Sequence, residues 1–327
     1  MRFGIVGTNF ITDEFMEGAM LLKDKIEITS ICSGKIENAK KFAEKYNIKN
    51  VYENHIEMLE SGKIDAIYIA VPNSLHFKMT MDAIQRNIPI FCEKPLAVNS
   101  KQVKILIDAA IKNKVYIHHG VVPLYTENFN IIKNNLQNIG KIRRAVFALN
   151  QYSSRYDRYL RGENPTTFRN EFANGAIMDL GIYIVSLCVA LFGKPKTISA
   201  NSFILDSKVD GATSAILSYE NFEVILLCSK ITNSNIISEI SGEDGIISIS
   251  IPSRVSTVKI QNRLDKVNIQ TYHEMENSFK RELKEFLNVV ENGKYESEIL
   301  PYKLTSEIID VMTQIRKISG VKFKEDN

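Results

Sequence analysis

MRFGIVGTNFIT, residues 1–12, runs a short apolar strand straight into a glycine turn and a helix. Residues 3–6 read as the strand, and Ile11, Phe15, Ala19 and Leu22 share one face of the helix that follows. Gly7 stands where the first glycine of a dinucleotide-binding fingerprint belongs, the one needed for the tight turn. The second and third fingerprint positions hold Asn9 and Thr12. Asn tolerates left-handed backbone angles better than most residues, but its side chain keeps a pyrophosphate further off. Thr12 is expected to widen the packing of helix on strand. Asp13 and Glu14 suit the positive end of a helix and compete with phosphate there. Taken alone, the loop fits a dinucleotide site and a plain turn equally well.

The pattern around it continues. Strands are expected at 26–32, 64–71, 88–92 and 115–118, and helices at 37–46, from 73 to about 86, and from 99 or 100 to 112. Asn73 or Ser74 is expected to cap the helix that follows it, and Asn99 or Ser100 the next. Segment 64–71 is almost wholly apolar, as a central parallel strand buried on both faces must be. Strands alternating with helices at this spacing imply an α/β fold with a doubly wound parallel sheet, a Rossmann-type domain over 1–120.

After 120 the rhythm changes. A helix is expected at 126–136, a strand at 141–152 and a strong helix at 176–191. Consecutive strands with short turns fill 196–272, and two helices close the chain at 274–291 and 303–319. This predicts a C-terminal α+β domain over 121–327 with a large, mainly antiparallel sheet, serving substrate binding and oligomerisation. The polar stretch 153–172 carries Arg155, Arg158, Arg161 and Arg169. These suit a substrate carboxylate or phosphate, or equally a solvated loop or subunit contact.

Composition narrows the classes. The chain has 327 residues, enough for two cores, with 44% hydrophobic and 24% charged residues. A net charge of +3 argues against nucleic acid and anionic membranes as partners. No apolar run is expected to reach the roughly 18 residues of a membrane helix, and the N-terminus lacks signal-peptide features. Cys32, Cys92, Cys188 and Cys228 lie far apart without a CxxC pair, so free thiols and a cytoplasmic setting are expected. No His, Cys and carboxylate cluster has metal-ligand spacing, so no metal is expected.

Three motifs carry the chemistry. Val71-Pro72-Asn73-Ser74-Leu75-His76 leaves a strand and opens a helix, which directs Asn73 and His76 to the ligand crevice at the carboxyl ends of the strands. Glu93-Lys94-Pro95 leaves the next strand at the same edge, where Pro95 fixes the direction of the loop and delivers the Lys94 ammonium. Asn174-Gly175-Ala176-Ile177-Met178-Asp179-Leu180-Gly181-Ile182-Tyr183 places Asp179 and Tyr183 four apart on one helix face. Gly181 between them costs about 1 kcal/mol against Ala, which a close approach there would explain. His118 and His119 end a strand near the crevice, where neutral packing is at least as good a reading as catalysis. The second strand ends Ile31-Cys32-Ser33-Gly34-Lys35, with no acid for a ribose 2′-hydroxyl. Ser33 and Lys35 suit a 2′-phosphate, so NADP is favoured, with NAD as the alternative. The cofactor-binding set is therefore Gly7, Thr8, Asn9, Phe10, Ile11, Ser33, Lys35, Val71, Pro72, Asn73, His76, Glu93 and Lys94.

Together these motifs resemble the Gfo/Idh/MocA family of glucose–fructose oxidoreductases, inositol dehydrogenases and their relatives, over nearly the whole chain. The resemblance implies an NAD(P)-dependent oxidoreductase that moves a hydride between a nicotinamide and a sugar, polyol or related small carbonyl. It implies a homodimer or higher homo-oligomer formed through the open face of the C-terminal sheet. It assigns Lys94 as the catalytic lysine and Asp179 as the substrate-ordering aspartate. Tyr183 stands where many members have histidine and some tyrosine. This chain departs from the family at Asn9 and Thr12, at Ala173 and Asn174 before Gly175, and at Gly34, where NADP users often carry arginine. Two other classes compete: a nucleotide sensor of the same fold without turnover, and a Rossmann methyltransferase. The second explains neither Glu93-Lys94-Pro95 nor the antiparallel half.

Overall fold

The computed structural model describes residues 1–264 and 269–326. The strand succession expected over 196–272 thus includes a few positions, 265–268, that lie outside the described residues. The chain forms two compact units, Met1–Gly120 with Glu276–Tyr302, and Val121–Met275 with Lys303–Asn327.

The first unit alternates β1 (Arg2–Val6), α1 (Phe10–Met20), β2 (Glu27–Cys32), α2 (Ile36–Tyr46), β3 (Asn50–Tyr52), α3 (His55–Glu60), β4 (Ala66–Ile69), α4 (Asn73–Ile84), β5 (Ile90–Glu93), α5 (Ser100–Asn113) and β6 (Ile117–Gly120). Its six strands are parallel in the order β3-β2-β1-β4-β5-β6. Strand order reverses at β1, between β2 and β4, which is where open α/β sheets bind ligands. Every residue of β4 is buried, as its apolar sequence requires. Asn99 caps α5 as expected, accepting from the Gln102 amide. Asn73 does not cap α4: Pro72 occupies that position and Asn73 is already helical.

The expected second domain, 121–327, needs one correction. The first unit reclaims 276–302, because α9 (Ser278–Glu291) buries Phe279, Leu283, Phe286 and Leu287 against β1 and α1. Ring centroids lie 5.3 Å apart for Phe3 and Phe286 and 5.7 Å for Phe15 and Phe279. Each such side chain contributes roughly 1.5–3 kcal/mol on burial, which fixes the return.

The second unit carries α6 (Glu127–Asn135), β7 (Ile142–Asn150), α7 (Tyr156–Leu160), a π-helical turn at Ile177–Gly181 and α8 (Ile182–Phe192). There follow β8 (Thr197–Ile204), β9 (Asp210–Ser218), β10 (Glu223–Ser229), β11 (Ser238–Gly242), β12 (Gly245–Ser250), β13 (Thr257–Asn262), β14 (Ile269–His273) and α10 (Tyr302–Ile318). The sheet order is β14-β13-β12-β11-β7-β10-β9-β8. All pairs are antiparallel except β7 with β10. Val224, Leu226 and Cys228 of β10 are buried on the face that packs under α8, while Ile225 and Leu227 point the other way and stay half-exposed. The stretch Asn170–Phe192 is long and apolar enough to cross a membrane, contrary to the expectation from apolar runs, but 72% of its most apolar window is buried inside the unit. It is read as a core helix of this unit.

Candidate active site

The carboxyl ends of β1, β2, β4 and β5 gather the candidate cofactor residues along one edge of the first sheet. Gly7 has φ +112°, and a Cβ there would lie 2.0 Å from the Ala70 carbonyl oxygen after β4, so no side chain fits. Asn9 needs no left-handed backbone. Its φ is −92° and ψ 177°; its Oδ1 accepts from the Ile11 amide at 3.1 Å, and its Nδ2 donates to the Ala70 carbonyl at 3.0 Å. The residue in the second glycine's place is thus a helix cap that also ties β1 to β4. Thr12 is fully buried and donates to the Gly7 carbonyl at 3.3 Å, bracing the turn. Asp13 does not compete for an anion, because it pairs with Lys45 at 2.8 Å and accepts from the Tyr46 hydroxyl at 2.7 Å. Those bonds, Lys45 first, hold its carboxyl below the usual range. Asn9 and Phe10 are exposed at the N-terminus of α1. Beyond β2, Ser33 is half-buried and Gly34 and Lys35 are exposed, with open space around Gly34.

Lys94 is half-buried just after β5, and the backbone beyond it is gripped from two sides. His76, 1% exposed, sets Nδ1 2.7 Å from the Pro95 carbonyl and Nε2 2.9 Å from the Val71 carbonyl. His76, expected to face a cofactor, is buried beneath this edge with a ring nitrogen against a carbonyl of each loop. Burial above all, with the nearby Lys94 charge, lowers the His76 pKa. His119 accepts from the Leu96 amide through Nε2 at 3.2 Å. Burial, and then His76, drive its pKa down to about 3, so the ring is neutral. His118 packs on the Phe91 ring at 4.2 Å and meets the Tyr116 hydroxyl at 3.0 Å. Glu93 is buried and accepts from the Tyr68 hydroxyl at 2.8 Å. Burial pushes its pKa up to about 6, against the opposing pull of Tyr68 and Lys94.

In the second unit, Gly175 has φ +131°, and a Cβ there would meet Asp210 Oδ1 at 2.1 Å. Asp210, fully buried at the start of β9, accepts through Oδ2 from the Ile177 amide at 2.8 Å and the Thr213 hydroxyl at 2.6 Å. The helix expected over 176–191 therefore begins as a π turn hung on Asp210, and only then becomes α8. A Cβ on Gly181 would lie 2.5 Å from the Ile177 side chain, so the glycine makes room for a side chain of its own helix and not for the other backbone or ligand expected there. From 175 to 189 every residue is buried except Asp179 and Tyr183, which are half-buried. Asp179 pairs with Lys230, just past β10. Sequence reasoning missed Lys230, Asp210, Tyr68 and the grip of His119.

The arginines of 153–172 are paired within their own segment. Arg158 and Arg161 meet Glu163 at 2.5 and 2.9 Å, Arg169 meets Glu171, and Arg155 donates to the Thr167 hydroxyl at 3.1 Å.

Residues 1–121 match the model of an oxidoreductase family with an NAD-binding Rossmann fold, and residues 136–248 match the GFO/IDH/MocA C-terminal domain. The chain belongs to the Gfo/Idh/MocA family. Its members include scyllo-inositol 2-dehydrogenase (NADP(+)) IolU of Bacillus subtilis, 36% identical over 100% of this chain and 99% of that protein. The uncharacterized oxidoreductase YgjR of Escherichia coli is also 36% identical, with the same coverage. In fold the chain is similar to KijD10, a 3-ketoreductase from Actinomadura kijaniata solved with NADP and TDP-benzene. The TM-score is 0.86 at 18% identity, covering 98% of each chain. A Gfo/Idh/MocA chain with this dinucleotide-binding unit is an NAD(P)-dependent oxidoreductase acting on CH–OH groups.

Proposed function

We propose that this enzyme is an NADP-preferring dehydrogenase or reductase of a polyol or sugar, with Lys94, Asp179 and Tyr183 as the groups that meet the substrate. The observation that carries the reading is Lys94, a half-buried ammonium at the carboxyl edge of the parallel sheet with the next two backbone groups held by His76 and His119. An NADP-dependent scyllo-inositol dehydrogenase among the full-length relatives supports both the substrate class and the cofactor.

The residues present fit a dinucleotide. Gly7 to Ile11 offer an exposed turn at a helix N-terminus for the pyrophosphate. Ser33 and Lys35, with open space at Gly34 and no acid at the tip, suit a 2′-phosphate. Val71, Pro72 and Asn73 complete that edge. When bound, the cofactor supplies the hydride chemistry. Lys94 hydrogen-bonds the substrate oxygen and stabilises the negative charge that develops on it. Asp179 accepts from a neighbouring substrate hydroxyl and orients the ring, and the Tyr183 phenol exchanges the proton.

The open face of the second sheet supports self-association. Ile225 lies between Ile216 of β9 and Val146 of β7 in register, an apolar row on the face away from α8. We assign it to a homodimer contact, which sedimentation of the wild type and Ile216→Lys checks.

The test is turnover with scyllo-inositol and related polyols against NADP+ and NAD+. Lys94→Ala is expected to lower kcat by about 10²–10³, the usual cost of one charge-stabilising donor, with NADPH affinity unchanged. Near-normal turnover in that variant sinks the assignment. Lys35→Ala is expected to weaken NADPH and leave NADH untouched.

A further inference from the structure

We propose that Lys230 is the positioning residue of the second unit: it holds Asp179 as a fixed carboxylate, ready to accept a substrate hydroxyl. The inference rests on the reading of Asp179 above and adds the group that makes that reading work.

A lysine just past an apolar strand ordinarily runs into water. The Lys230 side chain is 6% exposed, while its partner Asp179 is 37% exposed. Burying an ammonium costs several kcal/mol unless it is paired. The cation is therefore locked inside and the acid sits at the boundary. A carboxylate has about four lone-pair sites, so one ammonium does not exhaust its capacity as an acceptor.

The backbone of Lys230 has no slack. Its amide donates to the Gly211 carbonyl at 2.8 Å, and its carbonyl accepts from the Ser153 amide at 2.9 Å. Ser229 Oγ accepts from the Ile231 and Thr232 amides at 3.2 and 3.1 Å, closing the next turn. Ser229 pairs with Ala212, which brings Lys230 beside the start of β9. There Asp210 holds the Ile177 amide. Two adjacent strand ends thus grip one π turn: the Asp210 carboxylate takes the Ile177 backbone amide, and the Lys230 ammonium takes the Asp179 side chain.

The charged and titratable groups around the pair come from each packed element. β9 gives Asp210, whose carboxylate the Lys230 charge also favours. β10 gives Cys228, a buried thiol that also feels the Lys230 charge. The charged residues of β7, Arg143 and Arg144, lie at the far end of the sheet, where they pair with Glu243 and Glu223. A buried ion pair is weak evidence for stability. What this one provides is an oriented acid, held by a buried cation and itself partly exposed.

The experiment follows the Asp179 carboxyl directly, by carbon NMR of protein labelled at aspartate Cγ, with Asp179→Asn assigning the signal. In Lys230→Met, which keeps the volume, the Asp179 midpoint is expected to rise by roughly one to three pH units. In Lys230→Arg it returns towards wild type. An unchanged midpoint in Lys230→Met overturns the proposal, whatever substrate the enzyme takes. The acid limb of kcat/KM, measured on the polyol that is turned over, is expected to move with the midpoint in Lys230→Met and back in Lys230→Arg. A limb that stays while the midpoint moves overturns the link from Lys230 to substrate binding. Retained turnover in Lys94→Ala would instead sink the active-site reading, and leaves the Asp179 titration unaffected.

Discussion

The two segments that carry the proposed chemistry are fixed in opposite ways. The loop after β5 is gripped through its backbone by rings buried beneath it: His76 takes the Pro95 carbonyl and His119 the Leu96 amide. The turn before α8 is gripped by charge: Asp210 takes the Ile177 amide and Lys230 takes the Asp179 side chain. A backbone grip by His119, neutral above about pH 3, does not change with pH in the working range. A charged clamp on a carboxylate tunes the acid it holds. Each grip suits the role proposed for its residue, a fixed position for the Lys94 ammonium and a tuned acidity for Asp179.

The comparison breaks most visibly at Asp210. Asp210→Ala leaves the Ile177 amide buried without its acceptor, at about 1–3 kcal/mol, while the Thr213 hydroxyl can turn to Ser202 Oγ at 2.7 Å. A loss of about 1–3 kcal/mol is expected in denaturant unfolding. Asp210→Asn should cost under about 1 kcal/mol, because one oxygen, Oδ2, accepts both bonds and burial already disfavours the charge. Equal losses in the two variants would mean that the charge, not the acceptor, holds the turn. The other grip is tested next by His119→Ala, which strands the Leu96 amide. A displacement of Lys94 by about 1 Å is expected to lower kcat about 10²-fold, with NADPH affinity unchanged. Wild-type kcat in that variant would show that His119 is packing alone.

Much of this was legible in the chain itself. The βα rhythm of 1–120 and Glu93-Lys94-Pro95 specified the parallel sheet and its edge, because buried parallel strands have no other way to look. Three things were hidden. Helix α9 is visibly amphipathic, but an apolar stripe does not say which sheet it covers, and it chose Phe3 and Phe15. The π turn depends on Asp210, over 30 residues away, so no local period announces it. Lys230 had a signal that went unread: Leu227-Cys228-Ser229-Lys230 ends an apolar strand much as Phe91-Cys92-Glu93-Lys94 does. Whether a strand-end lysine turns inward is decided by a tertiary partner, here Asp179. A place at the carboxyl ends of the strands puts His76 near the crevice but does not give its depth, and the ring is buried.

Glu93 sharpens the comparison at a smaller scale, since it is the one carboxyl in the neutral grip. Its pKa is raised by burial from 4.5 to about 6, so protonation favours the folded state. The sign follows: its contribution to stability is complete below about pH 4.5 and is lost as pH rises through about 6, where the buried carboxylate costs about 2 kcal/mol. Glu93→Gln keeps an acceptor for the Tyr68 hydroxyl and cannot ionise. It is expected to be more stable than wild type by up to about 2 kcal/mol at pH 7.5, with the gain closing towards pH 4.5. Unfolding curves at the two pH values decide it, and a gain that is independent of pH would show that Glu93 is not the titrating group.

The smallest effect is expected where charge pairs meet water. Glu163 joins Arg158 and Arg161, yet all three side chains are at least 40% exposed. Exposed pairs contribute about 0–1 kcal/mol and are screened within about 10 Å at 0.1 M salt. Glu163→Ala should therefore leave the denaturation midpoint close to wild type, and closer still at 0.5 M salt. Its effect on kcat/KM separates the two readings of the arginines. If they only brace the loop, the constant stays at the wild-type value. If they read an anionic substrate, freeing Arg158 and Arg161 from Glu163 raises kcat/KM for anionic sugars at low salt and leaves neutral polyols unchanged. Lys230 and Asp179 provide the internal control, because a cation 6% exposed is shielded from the same salt.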